Sequence, residues 1–149
     1  MGRGIARKVA HINRERSHGG GLTIGTHNVR TMRVGGKHGP GRSEDLLTEY
    51  VSHGVDVTGL QETRRDGQSS FAEAGHFVVC SGYCSGQSDS SGKKGSRGVG
   101  LVLKESIVHG AVCKQEYISD RQLKVTVELM ARSKAVSFVV QYAPTEPSL

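Results

Sequence analysis

The sequence of 149 residues contains only three cysteines, Cys80, Cys84 and Cys113. An odd and small number of cysteines argues against a framework of disulfide bonds, which small secreted domains use to supplement a limited core. Unpaired thiols suit a reducing compartment, so we expect an intracellular protein, either nuclear or cytoplasmic.

Long apolar runs are also missing from the sequence. No stretch approaches the ~18 residues that a membrane-spanning helix needs, and residues 1–8 lack the apolar segment of a secretory signal. Hydrophobic residues make up 35% of the chain, and its mean hydropathy is −0.38. We therefore expect no membrane association, and a chain long enough for one domain with a real core.

Acidic residues are scarce at the start of the chain. Residues 1–42 carry nine Lys or Arg and a single acid, Glu15, a net charge of +8, whereas residues 43–149 carry eleven Lys or Arg and thirteen acids, a net charge of −2. We predict a disordered basic arm over residues 1–21. Such an arm can hold nucleic-acid phosphates by counterion release, although a solvated arm that only aids solubility explains the charge equally well.

The first regular elements predicted after this arm are a strand, a helix and a second strand. Residues 22–27 alternate between apolar and small or polar side chains, as a strand does, and residues 55–60 form the next strand. Between them, Ser43 is a good helix N-cap and Gly54 suits the end of a helix. The apolar stripe of this helix would consist of Leu46, Leu47, Tyr50 and Val51.

The rest of the chain is rich in strand patterns. We predict strands over residues 76–80, 99–103, 107–114, 123–130 and 135–142, with a turn at Ser133 that makes the last two a hairpin. Residues 124–128 alternate cleanly, so one face of that strand should be buried. The predicted fold class is α/β (α+β), with mostly one mixed sheet.

Two oxygen-bearing side chains, Asn28 and Glu62, end the first two predicted strands. Strands joined by a crossover helix in one sheet run parallel, which brings their carboxyl ends to one edge. Ligands bind at that edge in open α/β sheets. An amide and a carboxylate placed together there suit a hydrated Mg²⁺ ion and a phosphate.

Five phrases carry a resemblance to a known family. They are Leu-Thr-Ile-Gly-Thr-His-Asn-Val-Arg-Thr-Met at residues 22–32, Gly-Leu-Gln-Glu-Thr-Arg-Arg at 59–65, Lys-Gly-Ser-Arg-Gly-Val-Gly-Leu-Val-Leu at 94–103, Ile-Ser-Asp-Arg-Gln-Leu-Lys-Val at 118–125 and Val-Val-Gln-Tyr-Ala-Pro-Thr at 139–145. In this order they resemble the endonuclease/exonuclease/phosphatase family, which includes deoxyribonuclease I and the apurinic/apyrimidinic repair endonucleases. Within the family they look most like the non-LTR retrotransposon endonuclease domain and the related craniofacial development protein 2 group.

The resemblance implies a fold and an activity. The family fold is a four-layer β-sandwich flanked by helices, and residues 22–149 match its first half, a truncated domain. The implied activity is hydrolysis of a phosphodiester with Mg²⁺ or Mn²⁺, and the implied substrate is DNA. By this resemblance Glu62 is a metal ligand, Asn28 helps to hold the metal and the phosphate, and Tyr142 lies near the scissile phosphate, so these three are the candidate catalytic residues.

The resemblance also shows departures and a set of basic candidates. Arg30 stands where the repair enzymes carry an Asp, and Thr145 stands where they carry an Asn. Asp120 and Arg121 match a Ser-Asp-Arg phrase, and we interpret them as a structural pair. The candidate nucleic-acid-binding residues are Arg30, Arg64, Lys93, Lys94 and Arg97, although a solvated loop explains the last three as well.

Two further family phrases, Gly-Asp-x-Asn and Ser-Asp-His, do not occur in the sequence. In the family they supply the Asp that activates water, another acid and a His. We therefore expect little or no activity from this chain alone, and either pairing with a second half-domain or self-association to cover the sheet. Two alternatives stay open: a non-catalytic remnant that binds nucleic acid or a partner, and a phosphatase relative that acts on phosphate esters.

Overall fold

A computed structural model describes residues 15–16, 21–32, 41–82, 97–130 and 134–143. This part of the chain forms two β-sheets and one α-helix, so the fold is α+β and largely β. No helix among these residues has the length and hydropathy needed to cross a membrane.

The elements follow one another along the chain as listed here. They are β1 (Glu15–Arg16), β2 (Thr23–Asn28), α1 (Arg42–Ser52), β3 (Val57–Gln61), β4 (Gln68–Glu73), β5 (His76–Ser81), β6 (Val99–Lys104), a 3-10 helix (Glu105–Ile107), β7 (Val108–Ser119), β8 (Gln122–Leu129) and β9 (Ala135–Gln141). The first six strands form a mixed sheet in the order β1-β2-β3-β6-β5-β4, and the last three form an antiparallel sheet in the order β7-β8-β9.

The strand–helix–strand unit is parallel, as predicted. β2 pairs with β3 so that Ile24 lies opposite Val57 and Asn28 lies opposite Gln61. The other strand pairs of both sheets are antiparallel. The predicted hairpin of β8 and β9 is therefore confirmed, while its turn at Ser133 lies outside the described residues.

Helix α1 begins one residue before the predicted cap. Gly41 occupies the N-cap position, whereas Ser43 lies in the first turn and its hydroxyl donates to the Glu73 carboxylate at 3.0 Å. The predicted end is confirmed, because Gly54 adopts φ +65° and its N–H bonds to the carbonyl of Val51 at 3.0 Å. The prediction that Val51 belongs to the buried stripe is wrong, since it is 48% exposed.

A first core cluster fills the space between α1 and the mixed sheet. Its members are Val29, Met32, Leu46, Leu47, Tyr50, Val55, Leu60, Val78, Cys80 and Val102. The Tyr50 hydroxyl hydrogen-bonds to Nδ1 of His27 at 2.8 Å, and burial raises the pKa of Tyr50, so the phenol stays protonated. This bond satisfies two polar groups that the helix would otherwise bury at a cost.

The last three strands form a second sheet, which differs from the expectation of mostly one mixed sheet. A second core cluster lies between the two sheets: Val57, Val79, Val99, Leu101, Leu103, Val108, Leu123, Val125, Val127, Leu129 and Val140. The alternation over residues 124–128 is confirmed, because every second side chain of β8 lies in this interface. A period-two pattern shows that one face is buried but does not show which surface buries it.

Two short edge elements differ from the sequence-based prediction. β4 is a partly polar strand that we did not predict, and it pairs with β5 around a turn at Ala74 and Gly75, both at positive φ. Residues Glu15–Arg16 form β1 against β2, so the predicted arm contains one strand. Gly21 is described and has no regular structure, while residues 1–14 and 17–20 of that arm lie outside the described part of the chain.

Candidate active site

The candidate site lies at the edge of the mixed sheet where β2 and β3 end. Asn28 is the last residue of β2 and lies opposite Gln61, the last residue of β3. The N–H of Val29 donates to the carbonyl of Gln61 at 3.0 Å, which extends the pairing by one residue. Because Glu62 follows Gln61 directly, the parallel register brings the backbones of Asn28 and Glu62 to the same edge.

The Glu62 carboxylate is fixed by a contact between the two sheets. The hydroxyl of Tyr142, the residue that follows β9, donates to Oε1 of Glu62 at 2.9 Å. Oε2 of the same carboxylate lies 3.7 Å from Nη2 of Arg64. The side chain of Glu62 is 14% exposed, so the carboxylate is held by a phenol and a guanidinium while part of it still faces solvent.

The backbone at this edge adopts left-handed conformations. Arg30, Glu62 and Arg64 have φ values of +57°, +55° and +54°, and they are three of the four residues other than glycine with positive φ in the described part of the chain. Each such residue costs ~1 kcal/mol or more. Strain of this kind persists only where surrounding contacts enforce it, and it is often found at functional sites.

Backbone hydrogen bonds from the start of β6 enforce this conformation. The N–H of Thr63 donates to the carbonyl of Gly98 at 3.1 Å, and that of Arg64 donates to the carbonyl of Arg97 at 2.9 Å. On the other side, the N–H of Met32 donates to the carbonyl of Thr63 at 2.7 Å. The segment that carries Glu62 is therefore held on both sides.

Asn28 contributes an amide whose orientation is fixed. Its Oδ1 accepts a hydrogen bond from the backbone N–H of Arg30 at 3.2 Å, and the side chain is exposed. Since the amide oxygen is engaged, the amide NH₂ group is the part that can donate outward. This arrangement favours contact with an anion over metal ligation by Asn28.

The turn between β7 and β8 contacts the site from the second sheet. The carbonyl of Asp120 accepts the N–H of Gly98 at 3.0 Å, and the carbonyl of Arg121 accepts the N–H of Tyr142 at 2.9 Å. The carboxylate of Asp120 lies 3.3 Å from Nη1 of Arg97. The carboxylate of Asp120 thus pairs with Arg97, and both residues of the turn make contacts that hold neighbouring segments of the chain. No local sequence signal indicates this partner, because the contact depends on how the sheets pack.

The predicted basic residues fall into three groups. Arg30 is exposed beside Asn28, and the guanidinium of Arg64 contacts Glu62 with its side chain 39% exposed. Arg97 is committed to Asp120. Lys93 and Lys94 lie outside the described residues. The same holds for Thr145, which stands where the repair enzymes carry an Asn.

The donor atoms at the site fit Mg²⁺ or Mn²⁺ only if waters and a substrate phosphate complete the coordination of the ion. Among the described residues no group of three or more His, Cys, Asp or Glu side chains could hold a metal ion. Mg²⁺, however, commonly keeps several waters and takes one or two carboxylates together with a substrate phosphate. The anchored carboxylate of Glu62 fits that form, in which the phosphate supplies part of the coordination.

The opposite end of the strands contains a cavity of about 800 Å³. Its lining includes Val51, Ala74, His76, Lys104, Val108 and Met130. His76 is only 2% exposed, its Nδ1 lies 2.8 Å from the carbonyl of Ala74, and burial lowers its pKa. The Nε2 atom is buried without a hydrogen-bond partner, and among the described residues no cluster of charged groups surrounds this imidazole as the phenol and guanidinium surround Glu62.

Comparison with known proteins does not add a family to this description. No protein-family profile matches the chain, and no curated protein is significantly similar to it. The family resemblance carried by the five phrases therefore stays a prediction, and the functional proposal depends on the geometry of the site.

Proposed function

We propose that this chain binds a divalent metal ion and a DNA phosphate at the edge formed by Asn28, Glu62 and Tyr142, and that its chemistry is metal-dependent phosphodiester hydrolysis of the DNA-endonuclease type. The observation that supports this proposal best is the hydrogen bond from Tyr142 to Glu62. It joins two residues 80 positions apart, from two sheets, at the edge where Asn28 also lies.

Glu62 acts as the metal ligand in this proposal. The Tyr142 hydroxyl holds Oε1 and the Arg64 guanidinium lies near Oε2, so the carboxylate is oriented before any ligand arrives. When bound, Mg²⁺ supplies positive charge that offsets the negative charge developing on the leaving oxygen of a phosphodiester. The Glu62 carboxylate partly balances the charge of that ion.

Three neighbouring groups would hold the phosphate. The amide NH₂ of Asn28 can donate to a phosphate oxygen, because its Oδ1 already accepts a hydrogen bond from the backbone N–H of Arg30. The guanidinium groups of Arg30 and Arg64 can bind phosphate in a bidentate manner. Arg30 stands where the repair enzymes carry an Asp, so this side of the site is suited to binding phosphate and not a metal ion.

Activation of water is the weak part of this site. The partners of Glu62 in the described residues are a phenol and a guanidinium, which are hydrogen-bond donors and not bases. General acid–base assistance contributes ~10²–10⁴-fold to hydrolysis in many enzymes. We therefore propose that the chain alone binds metal and DNA together and cleaves DNA slowly. We also propose that its two sheets correspond to part of a four-layer sandwich of retrotransposon-endonuclease type.

Binding of Mn²⁺ in the presence of a short DNA duplex, which supplies the phosphate ligand, tests the metal site when it is followed by electron paramagnetic resonance. We expect Glu62→Gln to weaken Mn²⁺ binding at least tenfold, since it removes the anchored charge. Glu116→Gln is the matched control, because Glu116 is a carboxylate on β7 that pairs with Lys114 and Lys124 at the surface. Equal Mn²⁺ affinity in the wild type and in Glu62→Gln would overturn the metal site.

DNA binding and cleavage distinguish the proposal from its alternatives. We expect Mg²⁺ to strengthen binding of a labelled duplex in the wild type but not in Glu62→Gln, with slow, Glu62-dependent nicking of a supercoiled plasmid. DNA binding that weakens with salt but ignores both Mg²⁺ and Glu62→Gln would instead support a non-catalytic nucleic-acid-binding role. Turnover of a phosphoinositide without any turnover of DNA would support a phosphatase relative.

A further inference from the structure

The turn formed by Asp120 and Arg121 contacts both chain segments that build the candidate site. Through its carbonyl and its carboxylate, Asp120 holds the segment of Gly98 and Arg97. Through its carbonyl, Arg121 holds the backbone of Tyr142. One two-residue turn therefore touches the chain that supports Glu62 and the chain that carries its phenol partner.

These contacts close a ring of hydrogen bonds around the site. From Asp120 the ring passes to Gly98, then to Thr63, whose N–H donates to the Gly98 carbonyl. The next residue back along the chain, Glu62, accepts from the Tyr142 hydroxyl. The backbone N–H of Tyr142 returns to Arg121, beside Asp120. Movement of the turn would therefore change the separation of the Glu62 and Tyr142 backbones.

We propose that Asp120 is a positioning residue that sets the geometry of the Glu62–Tyr142 pair through its ion pair with Arg97. The inference rests on the proposed metal function for its biological meaning, although the geometry itself can be tested without metal. Asp120 touches neither of the two paired side chains in this role. It acts through Arg97 and Gly98, whose carbonyls fix the left-handed backbone on either side of Thr63.

The burial of the Asp120–Arg97 pair distinguishes it from the ion pair between Glu116 and Lys114 on the surface of the second sheet. The side chains of Asp120 and Arg97 are 15% and 29% exposed. Those of Glu116 and Lys114 are 36% and 66% exposed. A partly desolvated pair holds its geometry better than a solvated one, because water and salt screen it less.

Fluorine nuclear magnetic resonance of the full chain labelled with 3-fluorotyrosine tests this role. The chain has four tyrosines and no tryptophan, and the variant Tyr142→Phe identifies the Tyr142 signal. We expect Asp120→Ala to shift the Tyr142 signal in the same direction as Glu62→Gln does, in the absence of metal. Glu116→Ala should leave that signal in place, and the signal of buried Tyr50 reports that each variant is folded.

A conservative variant and a charge exchange separate positioning from a general effect on folding. Asp120→Asn retains a side-chain acceptor and should shift the Tyr142 signal less than Asp120→Ala does. Arg97→Asp combined with Asp120→Arg should return at least half of the shift. A folded Asp120→Ala chain with an unchanged Tyr142 signal overturns the inference. Loss of the Tyr50 signal even in Asp120→Asn also overturns it, because Asp120 would then be required for folding.

The metal measurement shows which of the two proposals fails, should one fail. We expect Asp120→Ala to weaken Mn²⁺ binding about two- to fivefold, the range of a single partly exposed ion pair. If Glu62→Gln leaves Mn²⁺ binding unchanged, the proposed metal function is wrong, whereas the Tyr142 signal still decides the positioning role. If Glu62→Gln weakens binding and Asp120→Ala changes neither readout, only the positioning role is wrong.

Discussion

The two ends of the β-strands contrast sharply in what they present to solvent. At the end where β2 and β3 finish, charged and polar groups from both sheets converge on Glu62 within hydrogen-bond or ion-pair distance. At the other end, an open cavity of about 800 Å³ is lined by apolar side chains and by four separate polar residues, His76, Lys104, Glu105 and Ser106. In this molecule the convergence of polar groups, and not the volume of a cavity, makes the edge at Glu62 the candidate site.

The two ends also differ in how they hold strained backbone. In the turn before His76, Ala74 and Gly75 adopt positive φ in a hairpin that connects neighbouring strands, and one long-range hydrogen bond reaches this turn, from the N–H of Glu105 to the carbonyl of Gly75 at 3.0 Å. At the site, Glu62 and Arg64 adopt positive φ under hydrogen bonds from a distant segment of the chain. The strained backbone at the site is therefore held by three long-range backbone hydrogen bonds, whereas one such bond among the described residues reaches the turn.

The largest expected effect is that of an added methyl group at Gly98. Its φ is +100°, and a Cβ there would overlap with the Thr63 hydroxyl and lie 3.1 Å from the Arg64 nitrogen. We expect Gly98→Ala to lower the free energy of unfolding by ~3 kcal/mol or more, because it combines backbone strain with a steric clash. Urea denaturation measures this change.

Gly75→Ala is the matched variant at the opposite end. Gly75 has φ +72°, but a Cβ there would meet nothing within 4 Å. We expect a loss of ~1 kcal/mol from the left-handed conformation alone. Equal losses for the two glycines would show that the site is no more constrained than a surface turn.

The second prediction concerns the phenol that joins the two sheets. Tyr142→Phe removes one partly buried hydrogen bond to Glu62, so we expect a loss of ~1 kcal/mol in stability and a severalfold weaker affinity for Mn²⁺. Tyr117→Phe also removes a hydroxyl, which donates to Gln115 of the second sheet and is hydrogen-bonded to Ser70 of the mixed sheet, away from Glu62. It should cost a comparable amount of stability and leave Mn²⁺ affinity unchanged, and a decrease in that affinity would contradict the special role of Tyr142.

The third prediction is a pH dependence located at the cavity end. Burial lowers the pKa of His76 below its ordinary value of 6.5, so the unfolded chain takes up this proton at a higher pH than the folded chain does. The contribution of His76 to the free energy of unfolding is therefore complete above pH 6.5. It decreases as the pH falls from 6.5 to the lower pKa that His76 has in the folded chain.

The variant His76→Asn tests this titration by denaturation at a series of pH values. Its amide can still donate to the carbonyl of Ala74, so the contact is retained while the proton site is removed. We expect the slope of stability against pH to become shallower between pH 7 and 5. His109→Asn, on an exposed part of β7, is the control, and an identical slope in the wild type and in His76→Asn would contradict the prediction.

The smallest effect is expected at a glycine near the site that has room for a side chain. A Cβ on Gly59 would lie 3.5 Å from the methyl groups of Val140, an ordinary van der Waals contact, and the residue does not need positive φ. We expect Gly59→Ala to change stability by less than ~1 kcal/mol, in the stabilising direction, because it reduces the entropy of the unfolded chain. Destabilisation comparable with that of Gly98→Ala would show that the two sheets pack more tightly here than the structure indicates.

Much of the fold could be predicted from local patterns. The alternation in β8 and the apolar residues Leu46, Leu47 and Tyr50 of α1 indicated their buried faces correctly. The cap at Ser43 could not be judged from sequence, because its hydroxyl is used by Glu73 on a distant strand. β4 was missed because Gln-Ser-Ser-Phe-Ala-Glu has too few apolar residues for a strand pattern, and its pairing with β5 supplies what the pattern lacks.

The candidate site shows the same limit. The shared edge of Asn28 and Glu62 follows from the rule that a crossover unit is parallel, and this part was predictable. The direct bond between Glu62 and Tyr142 and the pairing of Asp120 with Arg97 were not. Both depend on the docking of the second sheet, which no local periodicity encodes.

The separation of Glu62 and Tyr142 along the chain has a consequence during synthesis. A ribosome that has released the chain only as far as Lys104 has produced every strand of the mixed sheet, including the carboxylate. The phenol follows the carboxylate by 80 residues and is made only after β7, β8 and β9. The nascent polypeptide therefore carries the acid without its phenol partner until β9 has been made, and the pair forms only when the second sheet docks on the first.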